Sequence, residues 1–385
     1  MKILKLTLRN FPHFEDELGI DFVAQQRVSD DDKDGLYNAF SNIYVNKAIA
    51  FIGINASGKT TILRVVSFVM QMLNNMPINN IQSKGILKDL ACDQKVVITT
   101  YFYHDEIVYK LETYLERKIN QVDGSEKLII SDEKLWQKEQ RRVKTKKSLF
   151  EFKDVDFKER RNQNEQYLMD DVSIMVALNK KNNMGFFVRD MLVWTDHNML
   201  SVLGNFPKEL LAFLDSSIEY LECNKKEKGI DIRLKFYGKE EIIINNTSVL
   251  GQYLSSGTIK GLSVFMSAVF AFVEGGYLII DEIENHFNRE IVATLIRFFM
   301  DSKVNKKGAT IIFSTHYSEL LDEFDRNDSV YIVRNKDGIA TENLAEVLKR
   351  NDLKRSEVYD SDYLGGTVPS YESYIKLKKV LSTVK

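Results

Sequence analysis

The run Gly53-Ile54-Asn55-Ala56-Ser57-Gly58-Lys59-Thr60-Thr61 has the residue types and spacing needed to hold a triphosphate. A glycine-bounded loop that opens a helix turns backbone N–H groups inward, and the positive helix end favours the same anion. Lys59 would reach the β- and γ-phosphates, and the Thr60 hydroxyl would hold Mg2+. On this reading Gly53, Asn55, Ala56, Ser57, Gly58, Lys59, Thr60 and Thr61 bind ATP; the alternative is a glycine turn without a nucleotide. Asp281-Glu282 ends the apolar run Tyr277-Leu278-Ile279-Ile280. Asp281 would hold Mg2+ through its hydration shell. Glu282 would position and polarise the attacking water, because phosphoryl transfer depends on placement and charge compensation. A solvated acidic turn is the alternative there. His316 closes the run Phe313-Ser314-Thr315-His316, where an imidazole can donate to a γ-phosphate or to the water. The expected catalytic set is Lys59, Glu282 and His316, with Thr60 and Asp281 at the metal.

One further segment, Leu254-Ser255-Ser256-Gly257-Thr258, runs directly into an apolar helix from Gly261 to Val273. Ser255, Ser256 and Gly257 at a helix start expose free N–H groups suited to phosphate. Simple N-capping by Ser255 or Ser256 explains the same residues equally well.

These groups need a sheet edge to gather them. Ala48-Ile49-Ala50-Phe51-Ile52 reads as a strand entering the loop, and Ile62 to Met70 as a helix leaving it. Tyr277 to Ile280, Ala309 to Phe313 and Ser329 to Val333 are short apolar runs of the kind found in parallel strands covered on both faces. The carboxyl edge of such a sheet collects loop, acids and histidine. A helix from Arg289 to Met300 separates the acids from the histidine strand.

Elsewhere, alternation at Leu4, Leu6 and Leu8 predicts a half-buried strand, with another at Gly19 to Val23. Val96 to Tyr103 and Ile107 to Tyr114 predict a hairpin, as do Ile230 to Phe236 and Glu241 to Ile244. Residues 116 to 166 are charged and weakly periodic, which predicts an antiparallel or partly irregular insertion. Helices are expected from Val172 to Leu178 and from Pro207 to Glu222, and a solvated acidic turn from Ser29 to Gly35. The expected organisation is one composite domain, 1–385. It comprises a β-subdomain with the loop and hairpin (1–115), an inserted lobe (116–250), a core (251–345) and a tail (346–385).

Composition sets the outer bounds. With 385 residues, 44% hydrophobic and 28% charged, the chain can bury a sizeable core, and a net charge of −2 gives no global attraction to nucleic acid or anionic membrane. Cys92 and Cys223 have no metal-like spacing and read as idle thiols in a reducing compartment. Met1 to Lys5 reads as a strand rather than a leader, and the apolar window Leu262 to Val273 is too short to span a bilayer. A cytoplasmic protein without a membrane partner is expected.

In their order, GINASGKTT, LSSGT, YLIIDEIENHFN and FSTH resemble the ATPase head of the ABC superfamily, in its SMC and OLD-type branch rather than among transporters. More narrowly the chain is similar to stand-alone bacterial AAA-type ATPases of the RloA and abortive-infection kind, which also open with a strand like LKLTLRNFPHFED. The resemblance implies an α/β P-loop NTPase with an ABC-type head: a parallel sheet core, an N-terminal antiparallel β-subdomain and an inserted β and helical lobe. It implies Mg2+ and ATP sandwiched between two self-associating heads, with Ser255, Ser256 and Gly257 of one capping the γ-phosphate on the other. Asn285 and His286 would cross that interface, and Asn55 fits the GxNxSGK pattern. Gln163 and Gln166 are candidates for the Q-loop glutamine, neither distinguished from the other. The resemblance also implies control of an effector encoded nearby, a nuclease or toxin, in anti-phage defence. Too few residues follow the last core strand for the Toprim nuclease of OLD-type relatives, and Asp360-Ser361-Asp362 does not follow a buried strand.

Two other functions fit parts of the chain. An SMC-like ATPase acting on DNA needs a binding surface, and Lys138, Arg141, Arg142, Lys144, Lys146 and Lys147, edged by Trp136 and Phe150, could meet phosphates and stack a base. A solvated hairpin explains the same cluster, and acidic stretches at Asp132-Glu133 and from Asp154 to Glu159 flank it. DNA or RNA therefore stays open as a ligand, although no sustained heptads for coiled-coil arms appear. A non-hydrolysing nucleotide sensor is the third reading, and Glu282 argues against it.

Overall fold

The computed structural model describes residues 1–385 apart from 16, 120–123, 163–167, 195–199, 227–228, 351–352, 369–370 and 384–385. Its centre is a six-stranded sheet in the order Val188–Asp190, Tyr277–Ile280, Thr310–Thr315, Ala48–Ile52, Val330–Asn335, Ile339–Asn343. The first five strands run parallel and the last is antiparallel. Side chains alternate across this sheet as strand geometry requires. Ile49 and Phe51 face one apolar core with the helix Lys59–Leu73, whereas Ala48, Ala50 and Ile52 face a second core with the helices Ser256–Glu274 and Arg289–Met300. Both faces are covered over the central strands, so Ala48–Ile52 and Tyr277–Ile280 are buried at every position.

A second, wholly antiparallel sheet packs over the helix Lys59–Leu73, in the order Leu18–Asp21, Lys2–Arg9, Val96–His104, Ile107–Ile119, Glu126–Glu139, Phe157–Arg160. A smaller sheet, Gly204–Asn205, Ile218–Lys225, Ile230–Phe236, Ile242–Ile244, builds a third core with the start of the helix Ser256–Glu274. Among the described residues that helix alone is long and apolar enough to cross a membrane, and most of it is buried within the fold.

Both expected hairpins form, and the helix Arg289–Met300 has the predicted bounds. Residues 115 and 116 are consecutive within the strand Ile107–Ile119, so the second sheet runs on through the start of the charged insertion. The strand Glu126–Glu139 was hard to read because its charges face cross-strand partners; Glu112 stands opposite Lys134. The helix expected from Pro207 to Glu222 is a correction: it spans only Lys208–Leu214, and Ile218–Lys225 is a strand. Asp215 ends it by accepting from the Ser217 backbone N–H at 3.0 Å and the Ser217 hydroxyl at 2.6 Å, a local turn that competes with the helix. The helix expected at Val172 begins at Met175.

Tyrosines from the central sheet hold the second sheet in place. The Tyr277 hydroxyl accepts the Ile3 N–H at 2.7 Å, and the Tyr331 hydroxyl accepts the Asp21 N–H at 2.8 Å. Tyr277 is fully buried, which pushes its phenol well above the ordinary value. Tyr277→Phe keeps the ring but leaves the Ile3 N–H without its acceptor. We expect about 1–3 kcal/mol lower stability, seen as a lower denaturant midpoint at unchanged slope; an unchanged midpoint would count against this joint.

Candidate functional site

The strand Ala48–Ile52 ends at Gly53, and the chain turns through residues 53–58 into the helix Lys59–Leu73. The turn is tight. Ala56 has φ +62° and Gly58 φ +101°, a left-handed conformation that glycine adopts without a Cβ penalty. A Cβ at Gly58 would also stand 2.6 Å from the Ile339 side chain. The Ser57 hydroxyl is buried and has no hydrogen-bond partner among the described residues, as expected of a group awaiting an oxyanion. Lys59 is buried too, and its ammonium donates to the carbonyls of Gly53 at 2.8 Å and Ile54 at 3.2 Å. Burial pushes Lys59 below its ordinary value, while the carboxylates of Asp281, Glu282 and Glu284 pull it back. An arriving triphosphate would supply the negative charge this ammonium lacks.

The strand Tyr277–Ile280 delivers Asp281 and Glu282 to the same edge. The Thr60 hydroxyl donates to Asp281 Oδ2 at 2.7 Å, and Ser314 donates to Asp281 Oδ1 at 2.5 Å. The Ser314 oxygen also accepts the Glu282 N–H at 2.7 Å. Thr60 and Asp281 thus present hard oxygen donors at one point, the donor chemistry that suits Mg2+. Glu282 holds φ +43°, a strained conformation for a residue with a side chain. His316 links the two halves of the site: Nδ1 lies 3.4 Å from the Lys59 ammonium and Nε2 lies 3.4 Å from Glu282 Oε1. An ammonium can only donate, so a hydrogen bond from Lys59 uses the Nδ1 lone pair and leaves Nε2 as the ring's donor, facing Glu282.

Lys59, Thr60, Thr61, Asn55, Ala56, Ser57, Gly58, Glu282 and His316 line one cleft of about 750 Å3. Its far wall comes from His13 and the turn Asn335 to Ile339, which sequence reasoning missed. That wall is built by long-range contacts: the Ile339 N–H donates to the His13 carbonyl, and the Asn335 amide donates to the Ala56 carbonyl at 3.2 Å. Glu284 was missed as well. It is buried, its Oε1 accepts the His316 N–H at 2.6 Å, and its Oε2 has no partner among the described residues. The acidic run DEIE was the available signal; only its first two carboxylates had been assigned.

Other expected site residues lie elsewhere. Ser255, Ser256 and Gly257 start the helix Ser256–Glu274 and do not line the cleft; Ser255 is exposed and its hydroxyl accepts the Thr258 N–H at 3.0 Å. Gln163 and Gln166 lie outside the described residues. The basic cluster is largely occupied within the fold. Lys138 donates to the carbonyls of Ser148 and Glu151, Lys146 to those of Ala24, Gln25 and Gln26, and Arg142 pairs with Asp156. Trp136 packs against Phe157 and beneath the Lys110 ammonium. Asp360 accepts from the Ser318 hydroxyl and Asp362 from the Thr367 N–H, so both act in local packing.

Residues 48–322 match the family described as "AAA domain, putative AbiEii toxin, Type IV TA system". Comparison with curated proteins gives no match. The matched span runs from the first residue of the strand before the phosphate loop to just past His316, and so takes in every residue at which the cleft meets the acidic strand. The chain belongs to this family and is a P-loop AAA-type ATPase related to abortive-infection systems.

Proposed function

We propose that this chain is a Mg2+-dependent ATP hydrolase whose ATP-loaded heads pair and thereby control a partner effector in bacterial anti-phage defence. One observation carries the hydrolase: Lys59, Thr60 with Asp281, Glu282 and His316 meet at one edge of the sheet, though they follow three separate strands. Mg2+ held near Thr60 and Asp281 would neutralise phosphate charge. Lys59 would exchange its carbonyl partners for β- and γ-phosphate oxygens. Glu282 would orient and polarise the water, and the Nε2 proton of His316 would be offered to the γ-phosphate or to that water. Pairing is supported by the placement of Ser255 to Gly257: at a helix N-terminus, with Ser255 exposed and Ser256 and Gly257 half-buried, and outside their own chain's cleft. Such a segment can cap a phosphate only on a second head. The effector and the defence setting rest on the family.

Lys59→Ala removes a charged donor from the phosphates, and ATP affinity should fall at least about 10–100-fold. Isothermal titration would show it, and retained micromolar binding contradicts the phosphate-loop assignment. Glu282→Gln should bind ATP normally and release phosphate roughly 10²–10⁴-fold more slowly; unchanged turnover removes Glu282 from the mechanism. Ser255→Arg, placed on the Glu282→Gln background to prevent turnover, should bind ATP as a single head yet fail to assemble. Sizing chromatography with Mg-ATP gives the answer, and identical ATP-dependent assembly with and without Arg at 255 refutes capping by a second head.

A further inference from the structure

The helix Ser256–Glu274 and the acidic turn after the strand Tyr277–Ile280 touch at more than one place. A Cβ on Gly257 would stand 2.6 Å from the His286 carbonyl oxygen, so the helix start lies directly against the turn. One helical turn on, Lys260 is buried, with only 6% of its surface exposed, and its ammonium points into the same turn. It donates to the Asn285 carbonyl at 2.8 Å, lies 3.5 Å from the Glu282 carbonyl, and stands 5.3 Å from the centre of the Phe287 ring. An ammonium withdrawn from water is costly unless its donors are used, so this contact fixes both ends. Lys260 does not itself line the cleft, although Glu282, whose carbonyl it approaches, does.

The turn it holds is strained. Glu282 has φ +43° and His286 φ +69°, and neither is glycine. Backbone in this region persists only where surrounding contacts over-determine it. Two hydrogen bonds internal to the turn, Asn285 N–H to Glu282 carbonyl and Phe287 N–H to Glu284 carbonyl, both at 2.9 Å, use the Glu282 and Glu284 carbonyls, while the Asn285 carbonyl accepts from outside the turn. Lys260 is that donor.

We infer that Lys260 is a positioning residue for Glu282: by holding the Asn285 carbonyl and lying against the Glu282 carbonyl it sets the backbone that aims the carboxylate, and it ties the Ser255–Gly257 end of its helix to hydrolysis in the same chain. This rests on Glu282 acting as proposed above. Glu282 is the group that meets the water; Lys260 acts only through it.

The test uses full-length protein with Lys260→Met, which keeps length and apolar bulk without the donors, and Lys260→Arg, which restores them. Lys260→Met should keep the wild-type KM for Mg-ATP within about twofold and lower kcat roughly tenfold or more, as expected for a misplaced catalytic group. Lys260→Arg should recover much of kcat. Hydrogen exchange at the amides of residues 282–287 should quicken in Lys260→Met and return towards wild type in Lys260→Arg. A wild-type kcat in Lys260→Met overturns the assignment. So does a loss of ATP affinity or of melting temperature that Lys260→Arg fails to repair, because that marks a merely structural lysine. Wild type and Glu282→Gln run alongside: should they release phosphate equally slowly, hydrolysis at Glu282 is what fails. Exchange at 282–287 then decides for Lys260 alone, faster supporting the grip and unchanged refuting it.

Discussion

The contact between the Thr60 hydroxyl and the Asp281 carboxylate, 2.7 Å long, closes a gap that the sheet itself imposes. The strands Ala48–Ile52 and Tyr277–Ile280 are not neighbours; Thr310–Thr315 lies between them. Neighbouring strands stand about 4.8 Å apart, so these two are separated by roughly 10 Å. Only a loop and helix start that lean over the edge can bring Thr60 to Asp281. The intervening strand then has a position no other strand could take. Its Ser314 bonds to both Asp281 and the Glu282 N–H, and the next residues carry His316 to a point between Lys59 and Glu282. Had the loop strand and the acidic strand been direct neighbours, no third strand would place serine and histidine in the same row.

That geometry explains which parts of the site were visible in the sequence. Gly53 to Thr61 and Asp281-Glu282 were legible because their chemistry is contiguous: turn, donor and hydroxyl, or strand and carboxylates, occur within a few residues. The parallel core was legible because strands covered on both faces must be apolar at every position, as Ala48 to Ile52 and Tyr277 to Ile280 are. Glu284, Ser314 and Lys260 were not, since each acts on a residue about 20 to more than 30 positions away and resembles an ordinary polar residue in isolation. The strand Glu126–Glu139 stayed hidden because its polar residues carry the pairing that apolar alternation usually signals. The helix predicted across Ser217 failed for a local reason, the carboxylate of Asp215 bonding its own backbone.

Charge clusters in the sequence turned out to be internal fasteners more often than surfaces. Lys146 reads as part of a basic patch, yet three carbonyls of residues 24–26 hold its ammonium and join the helix Lys146–Phe150 to the N-terminal segment. Glu133, read as one half of an acidic flank, is fully buried and accepts from Thr113, Ser173 and the Ile174 N–H, with Arg161 at 3.5 Å. Burial pushes its carboxyl upward while those donors hold it down. Thr113 and Ser173 share Oε1 while the Ile174 N–H and Arg161 share Oε2, so each buried oxygen has two donors to offset its desolvation cost. A field able to draw nucleic acid needs cations in a row on the surface; here Lys138, Lys146 and Arg142 are spent on carbonyls and a carboxylate, while Arg141 and Lys147 stay exposed.

The placement of Glu282 therefore combines several constraints. A left-handed backbone costs a side-chain-bearing residue roughly 1–2 kcal/mol, and the fold sustains it from both sides. Ser314 accepts its N–H, while the Lys260 ammonium lies against its carbonyl. The first support belongs to the strand that also carries His316, so the imidazole and the carboxylate move with a common neighbour. The second belongs to the helix whose cap, Ser255, is exposed and lies outside the cleft. Under the proposed pairing, a second head pressing on Ser255 would push on one of the two elements that steady Glu282 in the chain it presses against. Binding across the interface and readiness to hydrolyse would then be coupled through this helix and the acidic turn, by way of the Lys260 bond to the Asn285 carbonyl rather than the Lys59 bond to the Gly53 carbonyl.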